Sequence, residues 1–181
     1  MLPTDLTDEQ LVELVRTKDQ ELYSEVIRRY QTKLTHYLRK FINNSAELED
    51  VLQDVFIKAF RNLNAFNTKQ KFSSWIFRIA HNEAINNIKK YKNEKLILDE
   101  NEWEVIDEKI DLAESLDKKF SREKIVEAIM LLKEKYRVPI ILFFFEEKTY
   151  EEISDILRMP VNTVGTLISR GKKNLQEILT K

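Results

Sequence analysis

Two glycines and three prolines in 181 residues leave this chain almost without the residues that break helices and make tight turns. Apolar residues recur along it at steps of three and four, the spacing that puts them on one side of a helix. The combination confines the chain to helices joined by short polar connections, so we expect an all-α fold. With 43% hydrophobic and 34% charged residues it has material for a core and for a well-solvated surface. The length suits either one medium domain or two small ones.

Thr7 and Gln10 have the spacing of a capping box, and Leu11, Val12, Leu14 and Val15 predict a first helix ending near Lys18. Leu22, Val26, Ile27, Tyr30, Leu34, Tyr37, Leu38 and Phe41 predict a long second helix within Asp19–Ile42. Ser45 is placed to cap a third helix, running to about Leu63 with Leu48, Val51, Leu52, Val55, Phe56 and Ala59 on its buried side. Outside remain Asp50, Gln53, Asp54, Ile57 and Arg61, spaced i, i+3, i+4, i+7 and i+11. A lone surface isoleucine means little. An isoleucine within a polar stripe is also what the centre of a helix-to-helix interface looks like. Both readings stand at this point.

Phe72–Tyr91 can run as one helix. Phe72, Ile76, Ile79, Ala80, Ala84 and Ile88 share one arc, while Arg78, Asn82, Asn86 and Lys89 gather on another. The outer residue types suit phosphates and base edges better than they suit a bland solvated face. From Lys58 to Lys95 nine Lys or Arg stand against Glu83 and Glu94, a local charge of +7 in a chain of net charge -1. Such a concentration marks an anionic partner. Phe66, Phe72, Trp75 and Tyr91 lie among the cations, as stacking platforms for unpaired bases or as core. The polar run Asn64–Lys71 predicts a short loop next to this helix, placed to receive an extruded base.

From Glu94 to Asp117 the character reverses, with ten acids against Lys95 and Lys109. Its sparse apolar residues cannot bury enough area to order it, which predicts a linker. Beyond it, Ser121 is placed to cap a helix containing Ile125, Ala128, Ile129, Leu131 and Leu132, and Pro139 suits the first turn of the next. Thr149 and Glu152 repeat the capping-box spacing before a short helix through Leu157. After Arg158-Met159-Pro160 a last helix runs from about Val161 or Asn162 to Leu179, exposing Asn162, Thr163, Thr166, Ser169, Arg170, Lys172 and Lys173. Short helix, tight turn and longer helix with an early polar row is a helix-turn-helix pattern.

With no cysteine there is neither a disulfide framework nor a thiolate metal site. The two histidines fall on different predicted helices, and no glycine-rich phosphate loop or metal-ligand spacing is present, so we expect no catalytic site, no metal and no cofactor. The acidic, polar start and the lack of any apolar run near 20 residues predict a cytoplasmic protein without membrane insertion.

AELEDVLQDVFIKAFRNLNAF followed by KFSSWIFRIAHNEAINNIKK resembles regions 2.1 to 2.4 of bacterial sigma-70 factors of the extracytoplasmic-function type, and TYEEISDILRMPVNTVGTLISRGKKNL resembles their region 4.2. The resemblance implies two small helical domains, region 2 at residues 1–93 and a region 4 helix-turn-helix at residues 121–181, joined by an acidic linker at 94–120 that threads the RNA exit path of polymerase. It implies as partners core RNA polymerase, through the β′ clamp helices and the β flap, promoter DNA and an inhibitory anti-sigma factor. Asp50, Gln53, Asp54 and Ile57 match the surface that docks on the clamp helices. Asn82 and the Asn64–Lys71 loop with Phe66 match the capture of a flipped -10 base. Lys71, Trp75, Arg78, Asn86, Lys89 and Lys90 complete the -10 contact. Asn162, Thr163, Thr166, Arg170 and Lys173 match the helix that enters the -35 major groove. Where the family commonly has a basic residue after Thr-Val and an Arg two positions later, this chain has Gly165 and Leu167, which implies weaker or unusual -35 contacts. The rival readings are a stand-alone helix-turn-helix regulator, which leaves the Asp50–Ile57 stripe unexplained, and an interaction module, which has no need of a basic helix.

Overall fold

The computed structural model describes residues 5–94 and 122–180, all of it helices and their connections, with no strand among the described residues. The chain divides into two compact units. In the first, α1 spans Asp8–Thr17, α2 Tyr23–Arg39, α3 Ser45–Arg61 and α4 Phe72–Glu94, with single 3-10 turns at Gln20–Leu22 and Leu63–Ala65. The second contains α5 (Arg122–Met130), α6 (Glu134–Phe144), α7 (Tyr150–Leu157) and α8 (Val161–Leu179). The acidic stretch after Glu94 and the expected Ser121 cap lie outside the described residues.

The first unit begins with the Thr7 capping box, in which Thr7 and Gln10 satisfy each other's backbone N–H. The expected single helix over Asp19–Ile42 is shorter than its hydrophobic pattern. Asp19 caps a 3-10 turn first, α2 starts at Tyr23 and stops at Arg39, and Phe41 and Ile42 are buried beyond its end. The cap of α3 is Asn44 rather than Ser45, its Oδ1 accepting from the N–H groups of Ala46 and Glu47 at 2.9 and 3.2 Å. Asparagine caps as well as serine does, so local propensity could not separate the neighbours.

Tyr30, Leu34, Tyr37 and Leu38 from α2, Val55 and Ala59 from α3, and Phe72, Ile76, Phe77, Ala80 and Ala84 from α4 form the core. Phe77, which projects between Ala84 and Ile88 on the predicted arc, is buried as Ala84 is, while Ile79 and Ile88 at the two edges of that arc are only half-buried. Buried hydroxyls tie the layers together. Tyr23 donates to the carbonyl of Phe56 at 2.7 Å and Tyr30 donates to Asp8, and burial pushes both phenols above their usual range, with Asp8 adding to the effect at Tyr30. Tyr37 and His81 are hydrogen-bonded at 3.0 Å, giving that histidine a packing role.

In the second unit α8 lies against α5, α6 and α7. Pro139 is not in the first turn of α6 but at its sixth residue, buried with Val138, Ile140, Ile141 and Leu142. An internal proline costs a helix about 3 kcal/mol, and only burial of this apolar run against the neighbouring helices offsets it. Arg137 donates to the Met130 carbonyl at 3.0 Å, closing the end of α5; its burial pushes its pKa down, opposed by Glu134. Thr149 and Glu152 form the expected capping box of α7. Arg158 ends α7 in the left-handed conformation, φ 52° and ψ 49°, and Pro160 starts α8, so three residues reverse the chain.

Gly171 permits a close approach of α8 to α6. A Cβ placed there would meet Ile140 Cγ1 at 2.8 Å and Cδ1 at 3.2 Å.

Candidate nucleic-acid interface

Three sets of side chains stand on the surfaces these helices create. On α3, Asp50, Gln53 and Asp54 are exposed and Ile57 is 39% exposed, in line along the outer face. The periodicity gave no role to Phe60, which is 40% exposed one turn beyond Ile57 and tilted against Tyr23 with ring centroids 4.9 Å apart. The i, i+3 spacing of Ile57 and Phe60 is the signal that could have found it. The pair gives the stripe an apolar patch with Asp50 and Asp54 on its N-terminal side and Lys58 and Arg61 on the other.

On α4, Trp75, Arg78, Asn82, Asn86 and Lys89 follow one another at three- and four-residue steps, with Lys71 just ahead and Lys90 beside the end. At about 1.5 Å per residue, Trp75 to Lys89 covers about 21 Å. Asn82, Asn86, Lys89, Lys90 and Lys71 are exposed, while Arg78 and Trp75 are half-buried. Glu83, the one acid between Lys58 and Asn93, is ion-paired with Lys58 of α3 and so does not stand alone among the cations. A polar groove of about 450 Å³ separates α3 from α4, lined by Asp50, Gln53, Asp54, Glu83, Asn86 and Lys90 among others. It joins the acidic stripe to the basic one.

The aromatics correct the sequence reading in part. Phe66 is 2% exposed, held between Phe72 and Trp75 with centroids 5.3 Å from each, and offers no open face to a base. Phe72 is fully buried. An eight-residue polar loop needs an anchor to stay ordered, and Phe66 is that anchor. Trp75 alone of the three retains exposed surface, and the Tyr91 side chain lies outside the described residues.

The loop itself is more ordered than its composition suggested. Asn67 closes a turn, accepting from Gln70 N–H at 2.9 Å through its carbonyl and from Lys69 N–H at 3.0 Å through Oδ1. Asn64, Asn67, Thr68, Lys69 and Gln70 all face solvent.

On α8, Asn162, Thr163, Thr166, Arg170 and Lys173 are exposed, four of them in one row. Thr166 donates its hydroxyl to the Asn162 carbonyl at 2.9 Å, which leaves the oxygen lone pairs as acceptors. Lys172, predicted to be exposed, is half-buried instead, its ammonium 5.1 and 4.9 Å from the ring centroids of Phe143 and Phe144. Without Lys172 the row is narrower than the sequence implied, and Leu167, an apolar position of this helix, is half-buried.

A family model for sigma-70 region 2 matches residues 26–94, and one for sigma-70 region 4 matches residues 122–175. The chain is 31% identical over 181 residues to an ECF RNA polymerase sigma-E factor of Escherichia coli strain K12, covering 93% of this chain and 92% of that one. It is 29% identical over 176 residues to the ECF RNA polymerase sigma factor SigW of Bacillus subtilis, covering 93% and 94%. Its fold is similar to that of the sigma factor RpoE from Bartonella quintana, solved in complex with the anti-sigma factor NepR, with a TM-score of 0.69 at 20% identity over 87% of this chain and 96% of that one. Among the described residues no helix is long and apolar enough to cross a membrane.

Proposed function

Because the chain belongs to the extracytoplasmic-function group of the sigma-70 family, and so directs transcription initiation, we propose which of its surfaces meets polymerase and which meets each promoter element. The exposed stripe Asp50, Gln53, Asp54 and Ile57, widened by Phe60, docks on the β′ clamp helices of core RNA polymerase. An apolar centre with a charged rim is the anatomy of a protein interface, and it explains two large apolar side chains on the otherwise polar outer face of α3.

Trp75, Arg78, Asn82, Asn86, Lys89, Lys90 and Lys71 hold the melted -10 strand. The row covers about the length of six stacked nucleotides at 3.4 Å each. The cations attract the backbone, the asparagines carry paired donors and acceptors for base edges, and Trp75 supplies a stacking face. Phe66 shapes the adjoining loop from beneath. Asn162, Thr163, Thr166, Arg170 and Lys173 enter the -35 major groove. Residues 1–93 and 121–181 act as the two gripping domains and 94–120 as the acidic tether along the RNA exit path. The β flap and an anti-sigma factor complete the set of partners, and the work is done in the cytoplasm, with the polymerase supplying the chemistry and this chain the choice of start site.

The observation that carries this reading is the juxtaposition on one unit of a stripe of acids with an apolar patch and a basic stripe, which meet at a shared groove. It accounts for a division of surfaces that a stand-alone regulator has no use for. Binding of core polymerase to the Asp50→Lys, Asp54→Lys and Ile57→Asp variants tests it: affinity should fall at least tenfold for each. Undiminished binding by all three would reject the docking assignment.

A further inference from the structure

We infer that α1 fixes the shape of the Asn64–Lys71 loop before any DNA arrives, with Arg16 and Glu9 as positioning residues for capture of the melted strand. The inference rests on the reading of this loop and α4 as the -10 contact. Neither residue lies on the basic stripe, and α1 itself is seated in the core through Leu11, Val12 and Val15.

Arg16 reaches from α1 to two loop carbonyls, donating through Nη1 to Phe66 at 3.2 Å and through Nη2 to Asn64 at 3.4 Å. The planar guanidinium suits this, because its two terminal nitrogens diverge and can hold two acceptors at once. Glu9, two turns earlier on the same helix, accepts the N–H of Phe72 at 2.9 Å. Phe72 is the first residue of α4, whose N–H has no partner within the helix. A carboxylate there replaces a local cap and sits at the positive end of the helix dipole. The loop is thus held at its entrance by Arg16, from below by the Phe66 ring and at its exit by Glu9, while Asn67 closes the turn between. Phe66 is its one buried side chain; the others face solvent.

A loop that must become ordered on binding takes that cost from the affinity; a loop already ordered does not. Holding the backbone also fixes which base can enter, so the effect should appear as selectivity at a few positions rather than as uniform affinity. α1 is seated independently: Asp8 accepts from Tyr30 and, at 2.7 Å, from Arg29 of α2. Loss of Arg16 therefore leaves the helix in place.

The test uses holoenzyme reconstituted from core polymerase and the full chain, challenged with a pool of short random single-stranded DNA oligonucleotides whose captured members are sequenced. Arg16→Ala should flatten base preference about tenfold at one or two positions, with core polymerase affinity unchanged and faster hydrogen exchange at residues 66–72. Glu9→Ala should do the same, and Glu9→Gln, which keeps an acceptor for Phe72 N–H, should restore the preference. Wild-type preferences in both alanine variants would overturn the inference and leave the promoter reading intact. Parallel loss of polymerase affinity and preference would show a merely structural role and overturn it too. If wild-type holoenzyme itself enriches no sequence, the reading of the loop falls and the inference with it.

Discussion

Replacing Gly171 by alanine puts a methyl group where α6 and α8 already touch, whereas the same change at Gly165, six residues earlier on α8, fills ordinary space. The new Cβ at 171 would lie 2.8 and 3.2 Å from two carbons of Ile140 and 3.5 Å from Cβ of Tyr136; at 165 its nearest neighbours are Tyr150 ring carbons at 3.5 and 3.7 Å. Both changes gain about 1 kcal/mol of helix propensity. At 171 that gain is opposed by overpacking of about 1–3 kcal/mol, because Ile140 is fully buried and cannot swing away. We expect Gly171→Ala to destabilise the second unit by about 1 kcal/mol and Gly165→Ala to stabilise it by about as much. Hydrogen exchange followed by mass spectrometry on peptides from α6 and α8 reads this unit without interference from the other. Protected amides should exchange about fivefold faster in the first variant and about fivefold slower in the second. Shifts of the same sign would refute the reasoning, since the two sites would then differ in nothing that matters.

Three further outcomes follow from the geometry. Gly165→Lys restores a cation beside the exposed row of α8 and should extend footprint protection at the -35 element; no gain in upstream protection would separate Gly165 from DNA contact. Promoter binding by the holoenzyme should weaken steeply with salt, and Lys89→Ala should lower the slope of log K against log salt by about 1, because one released counterion is lost; an unchanged slope would remove Lys89 from the phosphate contacts. Glu25 is held down to about 2 from an ordinary 4.5 by hydrogen bonds from Arg28 and then Arg29. With the folded-state pKa depressed, its stabilisation is present above about pH 4.5 and lost as pH falls towards 2. Thermal melts over that range should decline less steeply for Glu25→Gln than for wild type, and parallel curves would mean that the ion pairs contribute nothing.

What the sequence could reveal depended on how local the determinant is. The capping boxes at Thr7 and Thr149 were legible because both partners sit within one turn. The exposure of Asp50, Gln53 and Asp54, and of the α8 row, was legible because amphipathic spacing assigns the outer face once the inner one is apolar. Pro139 was misplaced because its cost is overridden by packing that no window of sequence contains. Phe66 and Lys172 carry ambiguous side chains, an aromatic that can stack or anchor and a cation that can face phosphate or ring, and their neighbours in space decide between them. The grip of Arg16 on the loop and of Glu9 on Phe72 spans 48 to 63 residues of chain and leaves no local trace.

Run-off transcription with purified core polymerase and a library of genomic fragments tests the assignment most directly. The full chain should switch core polymerase from non-specific synthesis to discrete transcripts on a subset of fragments, and Ile57→Asp should abolish them. Absence of discrete transcripts on every fragment, together with sequence-specific duplex binding by the protein alone, would contradict the account and point to a regulator that acts without polymerase.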